Sequence, residues 1–281
     1  MHISALNIFP LKSARGSALT ESAIDGWGLA DDRRWMITDP SGAFITQRDL
    51  PALARIQVSL QAQGLRLAME DRRDLDIAIP DGERRLDVEI WKSPVRAALA
   101  DDAAHAVLSD WLERDVRLVH FDADARRTAS TDWAGPDTPV AFADGYQVLV
   151  TTTGSLGALN ADMAKNGEAP VGMDRFRANI VVEHDEPWAE DGWASIEIGG
   201  VTLHLVKPCA RCIMTTQDQL TGSREGASPM PAMGRIRMSA DRRVPGPLFG
   251  WNAVPAGSGS LSIGQEVRVV EQRPAWDIKR R

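Results

Sequence analysis

The sequence predicts a β-rich α+β fold. An N-terminal β-barrel-like domain over residues 1–95 is followed by a second β-barrel domain with a few helices over 96–281. Three observations carry this reading. Alternating or β-branched runs recur roughly every ten residues, the spacing of up-and-down strands. Helical periodicity is confined to two or three stretches. The composition changes at Ser93-Pro94, and the first amphipathic helix follows.

Taken in order, 35–37 and 44–46 read as strands flanking Asp39-Pro40-Ser41-Gly42, a hairpin turn. Runs at 56–60, 65–69, 75–79 and 86–91 complete the first region. Over 101–113, Ala104, Val107, Leu108, Trp111 and Leu112 share one helical face, with Asp101 or Asp102 as N-cap. Strands follow at 116–121 and 147–152. A helix over 155–165 places Leu156, Leu159 and Met163 together, entered through the hydroxyls of Thr151-Thr152-Thr153-Gly154-Ser155. After a strand at 180–183, Gly199-Gly200 divides 195–206 into a hairpin. Residues 222–247 read as a long loop or a pair of short helices, and 266–271 as a last strand.

A chain of 281 residues with 43% hydrophobic residues builds a core without disulfide staples. Its 39 acidic against 32 basic residues, net charge -7, argue against general nucleic-acid binding. There is no apolar run long enough to span a membrane, and the first residues lack a basic segment followed by an apolar stretch. A cytoplasmic protein is therefore expected.

The two cysteines, Cys209 and Cys212, form one Cys-Ala-Arg-Cys pair. Three chemistries are open to it: half of a zinc site, a redox dithiol, or a single thiolate on a soft metal with the other cysteine structural. Two buried cysteines acting as small hydrophobes is the plainer alternative. Arg211 beside Cys212 would favour a thiolate. Other clusters point to anions. Lys12 and Ser13, with Gly16, follow a short strand and could hold a phosphate, although the Walker spacing is absent. Asp32-Arg33-Arg34-Trp35 and the nearby Arg48 supply guanidinium forks, unless they are surface pairs. Arg177 and Asn179 are two apart, so in an extended chain they face one way. Gly250 between Phe249 and Trp251 suggests a close backbone approach or a bend. No GxGxxG opens a βαβ unit, no GxSxG elbow occurs, and the acidic pairs are adjacent rather than spaced for glycosidase chemistry.

Read together, these clusters resemble one template. Lys207-Pro208-Cys209-Ala210-Arg211-Cys212-Ile213-Met214-Thr215-Thr216 resembles the cysteine segment of the MOSC family, molybdenum-cofactor proteins related to the C-terminal domain of molybdenum-cofactor sulfurases. Residues 9–13 and 32–35 look like elements of the MOSC N-terminal β-barrel domain; 175–182 and 248–252 look like further MOSC elements. The amidoxime-reducing branch is the nearest likeness in the order and nature of these elements. The resemblance implies a cofactor, Mo-molybdopterin, between the two domains, with Cys212 as metal ligand and catalytic residue and Cys209 as its neighbour. It implies that Lys12, Ser13 and Arg33 hold the terminal phosphate, that Arg177 and Asn179 contact the cofactor, and that Asp144-Gly145-Tyr146 faces the pterin. Arg48 and Asn252 are further implied contacts, and Asp144 is a proton-donor candidate by its neighbourhood alone.

The implied activity is reduction of N-hydroxylated compounds such as amidoximes and hydroxylamines. The alternative is a cofactor carrier or sulfur-transfer protein with Cys212 as persulfide site. With two cysteines the chain has none to spare for an iron–sulfur cluster. Electrons are therefore expected from outside: a ferredoxin, a flavodoxin, a cytochrome b5-like protein or their reductases. Two departures stand out. The family's Arg-Pro-Asn-Ile is Arg177-Ala178-Asn179-Ile180 here, and Gly145 and Tyr146 replace small hydroxyl residues of the animal branch.

Overall fold

The computed structural model describes residues 1–279. Strands dominate, as the alternation requires. The largest sheet has eight strands in the order Val267–Gln272, Trp193–Ile198, Val201–Ala210, Leu248–Ala256, Val148–Thr152, Ile180–Glu183, His2–Ile8 and Ser17–Leu19. A four-stranded sheet runs Trp35–Thr38, Arg117–His120, Ser93–Leu99, Arg85–Ile90. Two three-stranded sheets complete the set: Gly259–Ser262 with Glu21–Asp25 and Gly28–Leu29, and Gln57–Gln61 with Gly64–Ala68 and Leu75–Ala78. The strand-rich, curled sheets fit the expected β-rich α+β class.

Side-chain alternation explains the cores. In the large sheet Ile3, Leu6 and Ile8 meet Val150, Ile180, Val182, Ile196, Leu203, Leu205 and Trp251 in one buried cluster. A second cluster joins Trp35 and Ile37 to Leu65, Leu67 and the helix Asp102–Leu112 through Leu108, Trp111 and Leu112. That helix starts as its sequence requires: the Asp101 carboxylate accepts from the Ala104 N–H at 2.6 Å. The helix Thr153–Lys165 begins two residues before the expected start because the Thr152 hydroxyl caps it, accepting from the Ser155 N–H. It crosses between Val148–Thr152 and Ile180–Glu183, which pair in parallel and need such a connection.

The Gly199-Gly200 hairpin forms as expected, both glycines at positive φ (58° and 82°), as a two-residue turn between twisted strands demands. The 39–42 turn also forms, with Asp39 Oδ1 accepting from the Ser41 and Ala43 N–H groups. Its return arm is a single Thr38–Phe44 bridge rather than a strand over 44–46. Residues 222–247 hold one short helix, Met230–Ile236.

One junction positions the site. The segment after His2–Ile8 is zipped to 33–35: the Arg33 N–H donates to the Phe9 carbonyl, Trp35 to Pro10, and Lys12 to Trp35. The Phe142 N–H in turn donates to the Arg33 carbonyl. Backbone from near residues 10, 33 and 142 therefore meets at one place.

Candidate functional site: a cation- and thiol-lined cavity

A cavity of about 370 Å³ opens at this junction, within the size range of small-molecule and cofactor sites. Its wall includes Lys12, Ser13, Arg33 and Arg48 from early in the chain. Asp144, Gly145, Tyr146, Arg177, Asn179, Cys212 and Asn252 complete it from later segments. Every residue that the resemblance assigned to the cofactor thus borders a single space, although the chain separates them by up to 240 positions between Lys12 and Asn252.

One part of the wall is a buried cation cluster. The Lys12 ammonium donates to the Phe142 carbonyl at 2.9 Å and to the Asp144 carboxylate. Arg33 donates to the Asp32 carboxylate and to Asn179 Oδ1 at 3.1 Å. Arg177 donates to the Ala14 carbonyl at 2.8 Å and to Gln219 Oε1 at 2.9 Å. The Arg33 and Arg177 guanidinium carbons lie 4.5 and 4.1 Å from the centre of the Phe9 ring, which holds both by its face. Asp32, buried rather than a surface partner, also accepts from the Phe9 N–H at 2.8 Å.

The electrostatics follow from crowding. Burial, reinforced by the charge of Arg33, pushes the Arg177 guanidinium down to about 9. Burial also lowers the Lys12 ammonium, against the pull of Asp144. For Asp144, desolvation pushes upward, but the Lys12 charge and hydrogen bond outweigh it and hold the carboxyl below the usual range. Its side chain is 70% exposed, so water reaches it, yet it is surrounded by cavity wall. An acid held below its ordinary range is ionised near neutral pH and carries no proton to give, which removes the ground for Asp144 as proton donor.

Three cavity residues carry backbone strain. Ser13, Arg33 and Arg177 sit in the left-handed region, at φ 66°, 50° and 52°. Each costs about 1 kcal/mol or more for a side chain with a Cβ. The Arg177 conformation changes the expected geometry. The residue is the left-handed C-cap of the 3-10 turn Met173–Phe176, not the start of a strand. Arg177 and Asn179 therefore reach the cavity by a turn instead of by strand alternation. Asn179 accepts at Oδ1 from Arg33 and from the Leu149 N–H, and donates from Nδ2 to the Asn7 carbonyl. Its amide ties three strand ends together and holds Arg33.

The other part of the wall carries the thiols. The strand Val201–Ala210 ends just before Cys212, which is exposed and begins the 3-10 turn Ile213–Thr216; the Thr215 N–H and hydroxyl both donate to its carbonyl. Cys209 is half-buried, and both thiols are free. Arg211 does not serve Cys212. Its guanidinium donates to Cys209 Sγ at 2.9 Å and to the Phe176 carbonyl at 2.8 Å. Side-chain direction decides it, and the register shift between Pro208 and Ala210 falls in this segment.

Tyr146 puts its ring into a small cluster with Ala129, Val140 and Ala143, and burial pushes its hydroxyl up to about 12. Arg48 stacks 4.7 Å from the Trp91 ring centre and Asn252 donates to the Lys207 carbonyl. Sequence reasoning missed Arg127, whose guanidinium donates to the carbonyls of Ala141, Ala143 and Asp144 and so fixes the loop that presents Asp144. It also missed Trp91, which donates to Asp144 at 3.3 Å, and Gln219, which orients Arg177. No local motif marks these three; each acts across a fold contact.

The fold and this cavity define a two-part β-rich protein with a cation-lined cavity and an accessible thiol on its wall. Residues 1–115 match the MOSC N-terminal beta barrel domain and residues 137–268 the MOSC domain. The chain thus carries both domains of the MOSC family. It is similar to mitochondrial amidoxime-reducing component 1 of Homo sapiens, 28% identical, over 96% of this chain and 83% of that protein. The Danio rerio protein of the same name is 29% identical over 94% of this chain and 83% of its own length. A molybdenum cofactor sulfurase of Danio rerio is 28% identical over 84% of this chain but only 30% of its own length.

Proposed function

We propose that the protein is a molybdenum-cofactor-dependent reductase of N-hydroxylated compounds, among them amidoximes, hydroxylamines and N-hydroxylated bases. The observation that carries the reading is the union, in one cavity, of a buried cation cluster and an exposed free cysteine. The donor set suits Mo-molybdopterin. Three cations, Lys12, Arg33 and Arg177, face two carboxylates, Asp32 and Asp144, and the depressed Arg177 guanidinium is relieved by an incoming anion such as a terminal phosphate. The buried Arg211 Nε has no partner among the described residues. A thiolate suits a soft metal.

In this reading Lys12, Ser13 and Arg33 hold the phosphate, and Asn179 keeps Arg33 aimed. Arg177 adds charge from the opposite segment. The Asp144-Gly145-Tyr146 loop flanks the pterin, Arg48 and Asn252 line its sides, and Cys212 ligates the metal. When bound, the cofactor supplies two-electron redox chemistry, fed by a separate ferredoxin, flavodoxin, cytochrome b5-like protein or reductase. The protein's part is binding, orientation and electrostatics. Since Asp144 is ionised, water is the proton source. The division of the chain into 1–95 and 96–281 belongs to the same proposal, supported by a cavity that takes residues from both segments. Among the described residues, no helix is long and apolar enough to cross a membrane.

The exposure of Cys212 also favours a second reading, a carrier or sulfur-transfer protein with a persulfide at that residue. Production in a host that makes molybdopterin, metal analysis and benzamidoxime reduction with a chemical reductant separate the two. Stoichiometric molybdenum with turnover supports the reductase; bound metal without turnover on several N-hydroxylated substrates supports the carrier. Folded protein with neither molybdenum nor pterin sinks both.

A further inference from the structure

The strand Val201–Ala210 sends Val201, Leu203 and Leu205 into the core of the large sheet and turns Thr202, His204 and Val206 away. Unbroken alternation would aim Lys207 at that core, where an ammonium without a partner is not tolerated. The register against Leu248–Ala256 shifts between Leu205 and Lys207. Such bulges re-aim side chains beside functional sites. Here the shift delivers Lys207 to the cavity wall, and the Asn252 amide fixes its carbonyl at 3.2 Å. The ammonium lies 5.3 Å from the centre of the Trp133 ring. Among the described residues it makes no ion pair, unlike two other cations of the same wall. Lys12 is paired with Asp144, and Arg243, on the same wall, is gripped by both oxygens of Asp241. Lys207 is thus a half-buried cation beside an aromatic face it shares with Arg243, left without a carboxylate and contacting other groups than the Lys12, Arg33 and Arg177 cluster does.

We propose that Lys207 sets substrate choice: its ammonium receives a carboxylate or similar anionic substituent of the substrate, with Trp133 as its positioning residue. The preferred substrates are then N-hydroxylated compounds that carry a negative charge away from the N–O group. This rests on the reductase reading and names its substrate class.

The test uses protein made in a molybdopterin-producing host, with molybdenum content measured. Benzamidoxime and 4-carboxybenzamidoxime are compared in wild type, Lys207→Met, Lys207→Arg and Trp133→Leu. Wild type is expected to favour the carboxylated compound at least tenfold in kcat/KM, mainly through KM. Lys207→Met abolishes that preference, Lys207→Arg keeps most of it, and Trp133→Leu reduces it severalfold. Calorimetric titration of 4-carboxybenzamidoxime into the same preparations gives a readout apart from turnover: binding weakens at least tenfold in Lys207→Met, and salt weakens wild type more than that variant. Equal use of both compounds by wild type, or preference retained in Lys207→Met, overturns the proposal and leaves the reductase reading standing. If neither compound is reduced, the reductase reading fails. The titration then decides alone, equal binding by wild type and Lys207→Met counting against Lys207. A nucleotide released from the extracted cofactor, whose retention depends on Lys207, overturns the proposal as well, because the anion met by Lys207 would belong to the cofactor.

Discussion

The two parts of the cavity wall are built on opposite principles. Around Lys12, Arg33 and Arg177, nearly every polar atom has a partner, and three residues are held in left-handed backbone. Around Cys212 and Lys207 the wall is looser: an exposed thiol, exposed Ile213, and an ammonium without a counter-charge. Strain persists only where surrounding contacts over-determine it. The difference assigns the tasks. In the proposed reading the over-determined part grips the resident cofactor's phosphate, while the looser part leaves room for the substrate beside Cys212.

The comparison breaks most visibly at the cysteines. Cys212→Ala is expected to lose molybdenum nearly completely, while Cys209→Ala, whose sulfur only accepts from Arg211, keeps it; metal analysis of the two purified variants decides. Retention of metal in both would remove the thiolate from the site. Next comes stability. Arg33→Met leaves the buried Asp32 carboxylate without its cation and Asn179 Oδ1 with only the Leu149 N–H as donor, at a cost of about 3 kcal/mol in urea unfolding. Lys207→Met, on the loose part, should change stability by less than about 0.5 kcal/mol. Similar losses in both would show that the two parts are not built differently.

Gly250 tests the strand that carries Asn252. It sits at φ 75° in Leu248–Ala256, and a Cβ there would lie 2.6 Å from Thr151 Cγ2 and 2.8 Å from the Val150 carbonyl oxygen. Gly250→Ala is expected to cost about 2 kcal/mol, read as a lowered thermal midpoint. A further effect lies outside the cavity. Burial depresses His120 to about 4, and its ring rests 4.5 Å from that of Trp35. The folded ring holds its proton less tightly than the unfolded one, so the unfolded chain binds more protons between pH 6.5 and 4. Stability from this group is complete above 6.5 and falls as pH drops through that window. A loss of about 2 kcal/mol between pH 7 and 5, absent in His120→Gln, is expected by urea titration at each pH. An identical pH profile in the variant would remove His120 as the cause.

How much was legible can be read from particular residues. The Gly199-Gly200 hairpin and the Asp101-capped helix were, because turn and cap chemistry are local. The close approach at Gly250 was legible too, since glycine between large aromatics has few other uses. The membership of His2–Ile8 in the sheet of Ile180–Glu183 was not, as partner choice over such a separation leaves no local trace. Arg211 was matched to the wrong sulfur by adjacency, when side-chain direction decides. Lys207 was quoted within its segment but given no role, because the bulge that re-aims it exists only in the pairing with Leu248–Ala256.

By itself, then, the sequence determined which segments alternate, where turns and caps fall, and which residue types could bind an anion or a soft metal. Those properties depend on neighbours a few positions away. Only the tertiary structure decided that Lys12, Arg33, Arg177 and Cys212 border one space, that Lys12 holds the Asp144 carboxyl below its usual range, and that among the described residues the Lys207 ammonium makes no ion pair. Charge states and free valences are set by whatever groups come within a few ångströms, and folding brings those groups from distant parts of the chain.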